Sequence, residues 1–351
     1  MSDGCLKLVK CRNIIESINK NCLNCTEKFA SLVLDWDPYF SHIGGNILHL
    51  SVGKPDILKF LLENLKIKEY INFKDIHGAT PLNSLYNHFN FDNCLSFKIL
   101  IENGALIDTK DSQGGTPLNG AAMFNCLYCV KNMLDSVSNS VSNSLEPIFN
   151  SVSNSLETIV NHKDIRGCFP LFYAIENGNK EMIELLISSG AKSQEIEQGK
   201  NLLFYCIDFR KKIEIIQILI DRSDTLSIDL NEEYKNGENI LHLISYYKDE
   251  YIFDLLPPQV VYININKKDD KGRTPLFFAI KPRLSTLPSI SFIKNFLEMG
   301  ALINVKDKKG RLVIDYINKY LKIDLEYNLR HNDVYSQILK LITEWQELPP
   351  F

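Results

Sequence analysis

The stretch Asp75-Ile76-His77-Gly78-Ala79-Thr80-Pro81-Leu82 combines a tight turn with the start of a helix. Asp75 and Gly78 suit the turn, because glycine takes a positive φ without strain. Thr80 has the hydroxyl of a good N-cap, and Pro81 follows at the first helical position, where its missing N–H costs nothing. The stretch therefore predicts a turn that leads directly into a short helix.

The same turn recurs about eight times along the chain. Clear copies lie at residues 111–118 and 270–276, and the turn glycines are Gly44, Gly78, Gly114, Gly167, Gly199, Gly237, Gly272 and Gly310. The intervals between these glycines are 34, 36, 53, 32, 38, 35 and 38 residues. A period in the mid-thirties indicates stacked helix pairs rather than a globular enzyme core, because each pair buries its apolar face only against a neighbour.

A second, longer helix is predicted after each short one. In the repeat that begins at Asp75, an apolar stripe contains Phe97, Ile99 and Leu100, and Gly104 can end the helix through a left-handed residue. Residues 105–107 then run extended into the next turn. The predicted unit is a turn, a short helix, a loop, a longer helix and an extended arm.

This pattern resembles the ankyrin repeat over about residues 36–346, and the second half of the repeat reads well at residues 97–107, 182–191 and 292–303. The resemblance implies an all-α ankyrin solenoid of about eight helix-turn-helix repeats, with short β-turn fingers and helical caps. The histidine that the family has after the leucine stands only at His49 and His242, which predicts uneven hydrogen bonding between repeats. The divergent, Asn- and Ile-rich repeats resemble those of large DNA viruses that infect amoebae, and AT-rich protists would look similar.

Composition excludes several classes of function. A net charge of −4 offers no general attraction for nucleic acid or acidic lipid. No run of eighteen apolar residues is present, so no membrane-spanning helix is expected, and the first twenty residues lack the apolar core of a signal peptide. Nine irregularly spaced cysteines are typical of a reducing compartment. A cytoplasmic location is predicted, in the host cytoplasm if the chain is viral.

No catalytic residue, cofactor or metal site is expected. Four cysteines near the N-terminus could supply thiolate ligands: Cys5, Cys11, Cys22 and Cys25. Of these, only the pair Cys22 and Cys25 has the spacing of metal ligands. Cys126 and Cys129 fall at the start of a second helix, where cysteine usually acts as a small apolar side chain. The seven histidines are dispersed, and neither a phosphate-binding glycine loop nor a nucleophile motif is present.

The predicted organisation has three parts. Residues 1–35 form a helical N-terminal cap, residues 36–320 form the repeats, and residues 321–351 form the last helix and a C-terminal cap. An insert at residues 136–161 lengthens the third repeat and contains an 11-residue tandem copy, at residues 140–150 and 151–161. Its apolar residues have helical spacing, whereas its serines, asparagines and Pro147 oppose a helix. Both an extended second helix and a mobile loop are compatible with this segment.

The chain is predicted to be a non-catalytic scaffold or adaptor, a monomer that binds a partner protein and no nucleic acid or membrane. Ankyrin partners commonly dock on the concave face lined by turn tips and first helices. Transferred by position, the predicted contact residues are His77, Asn87, His88, Gln113, Met123, Phe124, Arg166, Phe209, Tyr246, Tyr247, Lys271 and Arg273. The alternatives are a structural component of a larger assembly and a metal-binding protein that uses the N-terminal cysteines.

Overall fold

The computed structural model describes residues 16–24, 26, 44–64, 67–85, 93–143, 155–194, 196, 201–282, 287–327 and 332–347. They fall in two compact units, Met1–Lys192 and Ser193–Phe351. Within these ranges the regular structure is helical, and the extended pairing between Tyr234 and Glu238 is a single bridge. The all-α fold predicted from the sequence is thereby confirmed. Most of the predicted N-terminal cap lies outside the described residues, although residues 16–19 are helical and Ile18 is buried.

Within the described residues, the first unit contains four helix pairs. Its helices are α1 (Ile47–Ser51), α2 (Pro55–Asn64), α3 (Pro81–Ser84), α4 (Asn93–Glu102), α5 (Pro117–Met123), α6 (Leu127–Asn143), α7 (Leu156–Val160), α8 (Pro170–Asn177) and α9 (Lys180–Ser188). The first helices α1, α3, α5 and α8 pack in one row, and the second helices α2, α4, α6 and α9 pack in another. Each row buries apolar side chains against the next pair, as a repeat architecture requires.

The second unit contains four further pairs. Its helices are α10 (Leu202–Asp208), α11 (Ile213–Asp221), α12 (Ser223–Leu226), α13 (Ile240–Tyr247), α14 (Glu250–Leu255), α15 (Pro258–Asn264), α16 (Pro275–Ala279), α17 (Ile290–Glu298), α18 (Val313–Tyr327) and α19 (Asn332–Gln346). The first helices α10, α13, α16 and α18 form one row. In the row of second helices, the ring of Phe253 packs on those of Phe292 and Phe296, at centroid distances of 5.6 and 4.9 Å.

The predicted caps form at most of the first helices. Thr80 and Thr116 each accept a hydrogen bond from the backbone amide three residues later, and the asparagine at that position closes a capping box. Asn46 and Asn239 do the same with a histidine as the third residue. Phe169 has no side-chain acceptor and makes no cap. Such a cap contributes about 1 kcal/mol to helix stability.

Thr274 differs from the other threonine caps. Its hydroxyl is buried, makes no cap bond and has no hydrogen-bond partner among the described residues. In the repeats of Thr80 and Thr116, the hydroxyl donates to the asparagine three residues later, at 2.6 and 2.5 Å. Phe277 occupies that position after Thr274 and offers no acceptor. The sequence motif is therefore retained there without its hydrogen bond.

Asparagine replaces the missing histidines as a bridge between repeats. His49 and His242 reach the carbonyl oxygens of Ala79 and Arg273, at 2.9 and 3.0 Å. Asn119 donates from Nδ2 to the carbonyl oxygens of His162 and Cys168, at 3.2 and 3.4 Å, and Asn83 makes equivalent bonds. Hydrogen bonding between repeats is therefore more complete than the histidine pattern predicted.

A second set of asparagines joins the extended arms. Asn72 accepts a hydrogen bond from the amide of Leu106 at 2.9 Å and donates to the carbonyl of Gly104 at 3.0 Å. Asn161 and Asn266 clamp the following repeats in the same manner. Each lies six residues before a turn glycine, a recurrence that the sequence contains but that the motif analysis missed.

The insert begins as a continuation of the third repeat's second helix, because α6 runs to Asn143. Residues 144–154 lie outside the described ranges, and α7 then leads back to the next turn. The helix α18 runs across position 320, where the last predicted boundary was set. The division into 1–35, 36–320 and 321–351 stays a prediction.

Candidate protein-binding face

A repeated aspartate shapes the turns that precede the first helices. The Oδ1 atom of Asp75 accepts hydrogen bonds from the amides of His77 and Ala79, at 2.8 and 2.9 Å. Equivalent aspartates form the same two bonds at four other turns: Asp111, Asp164, Asp269 and Asp307. Because side chain and backbone are both engaged, the conformation of each turn is set before any partner binds.

Successive turns are joined by backbone hydrogen bonds. In the first unit the amide of Ser112 donates to the carbonyl of His77 at 2.7 Å, and Gln113 accepts the next bond of this kind. In the second unit the amide of Lys308 donates to the carbonyl of Lys271 at 2.8 Å. Three predicted contact residues therefore use their backbone in the stack and expose their side chains: His77, Gln113 and Lys271.

The remaining predicted residues of the first unit are exposed to different extents. Met123, at the end of α5, is 40% exposed, and Phe124 beside it is half-buried. The guanidinium of Arg166 donates to Asp164 at 3.2 Å and to the hydroxyl of Tyr173, while its side chain stays largely exposed. The predicted residues Asn87 and His88 lie outside the described ranges.

In the second unit, three predicted residues meet around one groove. It has a volume of about 360 Å³, and its walls include Tyr246, Lys271 and Arg273 together with Phe204 and Phe278. The groove therefore combines aromatic rings with positive charge. Acidic side chains also contribute, and burial raises the pKa of Glu238 on its wall.

A neighbouring groove lies between the next two turns. It has a volume of about 370 Å³ and shares Lys271 and Arg273 with the first groove, and it adds Lys308, Lys309 and Arg311. These basic side chains come from turns 38 residues apart in the sequence, at Gly272 and Gly310. Basic side chains of two successive turns therefore line one groove, together with the carboxylates of Asp270 and Asp307.

Tyr247 and Phe209 are the other two predicted aromatic residues of the second unit. The hydroxyl of Tyr247 donates to Asp208 at 2.5 Å, and its ring meets that of Tyr246 edge-on, with centroids 5.1 Å apart. Phe209 is 59% exposed and packs on Tyr205, with centroids 4.5 Å apart. Tyr247 is thus held in place by its neighbour, whereas Phe209 presents apolar surface to solvent.

Arg273 has a structural task that the sequence analysis did not anticipate. Its guanidinium donates to the carboxylate of Asp269 at 2.8 and 2.5 Å and lies 4.4 Å from the centre of the Phe278 ring. The side chains of Asp269 and Arg273 are 1% and 18% exposed. Arg311 makes the same pair with Asp307. Both arginines therefore brace their turns, whereas the exposed side chains of Lys271, Lys308 and Lys309 make no ion pair with the described part of the chain.

One group of side chains in the described ranges could hold a metal ion. The Sγ atoms of Cys94, Cys126 and Cys129 all lie within 4.8 Å of one another. Hydrogen bonds from the thiol and backbone amide of Cys129 lower the pKa of Cys126 to about 6. The same hydrogen bond, together with burial, raises the pKa of Cys129. The sequence analysis interpreted Cys126 and Cys129 as apolar packing groups because they lie at the start of a second helix, and it did not connect them with Cys94.

Comparison with known proteins agrees with this architecture. Residues 146–231 match the family model described as "Ankyrin repeats", in 3 copies. A fowlpox virus protein named as an ankyrin repeat protein is 32% identical over 114 residues, which are 32% of this chain and 19% of that protein. The chain therefore carries ankyrin repeats, as the sequence motifs predicted.

Two other relatives match more of the chain. The human transient receptor potential cation channel subfamily A member 1 is 25% identical over 287 residues, which are 81% of this chain and 23% of the channel. An ankyrin repeat protein of Acanthamoeba polyphaga mimivirus is 23% identical over 237 residues, which are 68% of this chain and 28% of the viral protein. The chain spans less than a third of each of these relatives. Viral ankyrin proteins, including one from an amoeba-infecting virus, are thus among its relatives, in agreement with the resemblance.

Across the described helices, no segment is long and apolar enough to cross a membrane.

Proposed function

We propose that this ankyrin-repeat chain is a non-catalytic scaffold that binds a partner protein through the turn tips and first helices of its second unit. Ankyrin repeats commonly mediate protein–protein interaction, and they are generally not enzymatic. The observation that carries the proposal is the pair of adjacent grooves, which share Lys271 and Arg273 and have aromatic walls. Aromatic and arginine side chains are enriched among residues that dominate binding energy.

The charges on this face favour an acidic segment of the partner. Arg273 and Arg311 are neutralised by the buried carboxylates of Asp269 and Asp307. Lys271, Lys308 and Lys309 are exposed, and no ion pair engages them within the described residues. Three positive charges on neighbouring turns attract acidic groups and reject basic ones.

The aromatic groove supplies the apolar part of the same site. Tyr246 lies on its wall together with Lys271 and Phe278, and Tyr247 donates a hydrogen bond to Asp208 on the same wall. An acidic segment that also carries an apolar side chain could place its charges against the lysines and that side chain against the rings. Such a mixed anchor is typical of the buried centre of a protein interface.

Charge reversal of the exposed lysines tests the proposal. The triple variant Lys271→Glu, Lys308→Glu and Lys309→Glu leaves the Arg273 and Arg311 clamps intact and should fold. Affinity capture from the native cell followed by mass spectrometry, compared quantitatively with wild type, should show partners depleted at least tenfold. Capture by wild type should also weaken between about 0.1 M and 1 M salt, because screening shortens from about 10 Å to 3 Å.

Three lysines on the second helices provide a matched control. Lys98, Lys294 and Lys340 are exposed and each pairs with a glutamate four residues later. Their reversal changes the net charge equally but leaves the grooves untouched, so capture should be retained. Equal loss in both triple variants would contradict the proposal, and loss of capture on nuclease treatment would assign the face to nucleic acid instead.

The aromatic contribution has its own variant, Tyr246→Ala with Tyr247→Ala. It should weaken capture of the partner. The melting temperature should fall by no more than a few degrees, because the Tyr247–Asp208 hydrogen bond is lost. If this variant captures the same proteins in the same amounts as wild type, the aromatic groove is not the contact surface.

A further inference from the structure

The thiol cluster lies at two adjacent helix N-termini of the first unit. Cys94 is the second residue of α4, Cys126 immediately precedes α6, and Cys129 lies in the first turn of α6. The Sγ atoms of Cys94 and Cys126 are 3.4 Å apart, and all three sulfur atoms lie within 4.8 Å of one another. The cluster therefore joins two neighbouring repeats through side chains that are 32 residues apart in the chain.

These distances match those of a thiolate metal site. A metal–sulfur distance of about 2.3 Å places tetrahedral ligands about 3.8 Å apart and trigonal ligands about 4.0 Å apart. The three sulfur atoms need to move by less than about 1 Å to reach either arrangement. Cys129 is buried whereas Cys94 and Cys126 are half-buried, so the cluster has one closed side and one side open to solvent.

The repeat itself does not require sulfur at these positions. Asn179, Asp249 and Ser289 stand where Cys126 stands, and each caps its helix through a side-chain oxygen. Cys129 lies three residues after Cys126. Three residues after each of these caps the side chain is apolar, as at Met182 and Phe292. Packing alone therefore accounts for an apolar residue at position 129 but not for three converging thiols.

We propose that Cys94, Cys126 and Cys129 bind a thiophilic d10 metal ion, Zn²⁺ or Cu⁺, between the second and third helix pairs. Thiolates are the ligands that both ions prefer, and three of them satisfy a trigonal Cu⁺ site or leave one tetrahedral position of Zn²⁺ for water. Bound metal would cross-link α4 and α6 and so stabilise the first unit through a contact that the folded state alone provides.

Metal titration of the reduced, full-length chain tests the assignment. Competition with a chromophoric chelator measures Zn²⁺ binding, and competition with bathocuproine disulfonate measures Cu⁺ binding. Co²⁺ substitution should give thiolate charge-transfer absorption together with visible bands of tetrahedral intensity if the site suits Zn²⁺. A stoichiometry of one ion per chain, with a higher melting temperature in its presence, is expected. Binding of neither ion would overturn the proposal.

The variant Cys126→Asn separates metal binding from folding. Asparagine caps the equivalent helix at Asn179, so the variant should fold, yet it removes one sulfur ligand. Affinity for the ion should fall by at least about 100-fold, because even loss of an outer-shell partner costs 10- to 100-fold. Cys168→Ala is the matched control, because Cys168 lies in a turn and alanine occupies the equivalent position at Ala79. Its affinity should equal that of wild type.

Two further outcomes would contradict the assignment. The four N-terminal cysteines could bind the ion instead, and a chain with Cys5, Cys11, Cys22 and Cys25 replaced by serine should therefore retain full affinity. If that chain loses binding and Cys126→Asn keeps it, the site is elsewhere. Mass spectrometry of alkylated protein should find all three thiols reduced in the metal-free chain, and a Cys94–Cys126 disulfide that persists under reducing conditions would exclude the metal site.

Discussion

The turns of the two units share a backbone but differ in what they present. In the first unit the exposed tip residues Ile76, Gln113 and Ile165 are neutral, and the basic tip residue Arg166 is itself paired with the buried Asp164. In the second unit the tips carry Lys271, Lys308 and Lys309, above arginines that are paired with buried aspartates. The aspartate thus fixes the backbone of each turn, whereas the residues at the tip differ in charge from one turn to the next.

The largest expected difference between the units comes from their turn aspartates. Asp269→Ala removes two backbone hydrogen bonds and leaves the largely buried Arg273 without its partner, which should cost about 3–5 kcal/mol of unfolding free energy. Asp111→Ala removes only the backbone bonds and should cost about 1–2 kcal/mol. Urea unfolding measures both costs, and hydrogen exchange at the turn amides assigns them locally. Equal losses would show that the arginine clamp adds nothing.

The histidine bridge makes the second unit sensitive to acid. Burial lowers the pKa of His242 to about 4, from 6.5 in the unfolded chain. Because the unfolded chain takes up a proton near pH 6.5 and the folded chain only near pH 4, stability falls as the pH falls through this window. At pH 5 the loss from this residue is about 2 kcal/mol.

The variant His242→Asn should remove that part of the acid sensitivity, because Asn83 and Asn119 make the corresponding bridge without titrating. Between pH 7 and pH 5, the unfolding free energy of wild type should therefore fall by about 2 kcal/mol more than that of the variant. A variant that loses as much stability as wild type over this range would show that His242 is not the responsible group.

Threonine caps provide a smaller test of the same comparison. Thr116→Val should destabilise the first unit by about 1 kcal/mol, because the cap bond to the amide of Asn119 is lost. Thr274→Val should be neutral or slightly stabilising, because the buried hydroxyl of Thr274 has no partner among the described residues. Thermal unfolding of the two variants gives the comparison, and a substantial loss at Thr274 would reveal a hydrogen bond that a water molecule supplies.

The smallest effect is expected from shortening the insert. Deletion of residues 140–150 removes one copy of the tandem and joins residue 139 to an identical Ser-Val-Ser-Asn-Ser-Leu-Glu sequence. The end of α6 would then be rebuilt from the second copy, so stability should change by less than about 0.5 kcal/mol. A large drop in melting temperature would show that the insert packs on the first unit.

The order of turns and helices followed from the sequence alone. Thr80-Pro81 and Thr116-Pro117 start helices as predicted, and the left-handed glycines end them or shape the turns, because capping and backbone freedom depend on residues that are adjacent in the chain. The side chains of His77, Gln113 and Lys271 at the turn tips are exposed, and their part in partner binding stays a prediction.

Only the tertiary structure decided which side chains meet across repeats. It revealed that Arg273 is committed to Asp269, that asparagines replace histidine as bridges, and that Cys94 joins Cys126 and Cys129. The Asp269–Arg273 pair is close in sequence, but its burial is a property of the fold. The other partners are about one repeat apart, and the distance between their side chains is set by how the helices of neighbouring repeats pack. Sequence spacing determines what each repeat can form, whereas packing determines which groups come within bonding distance.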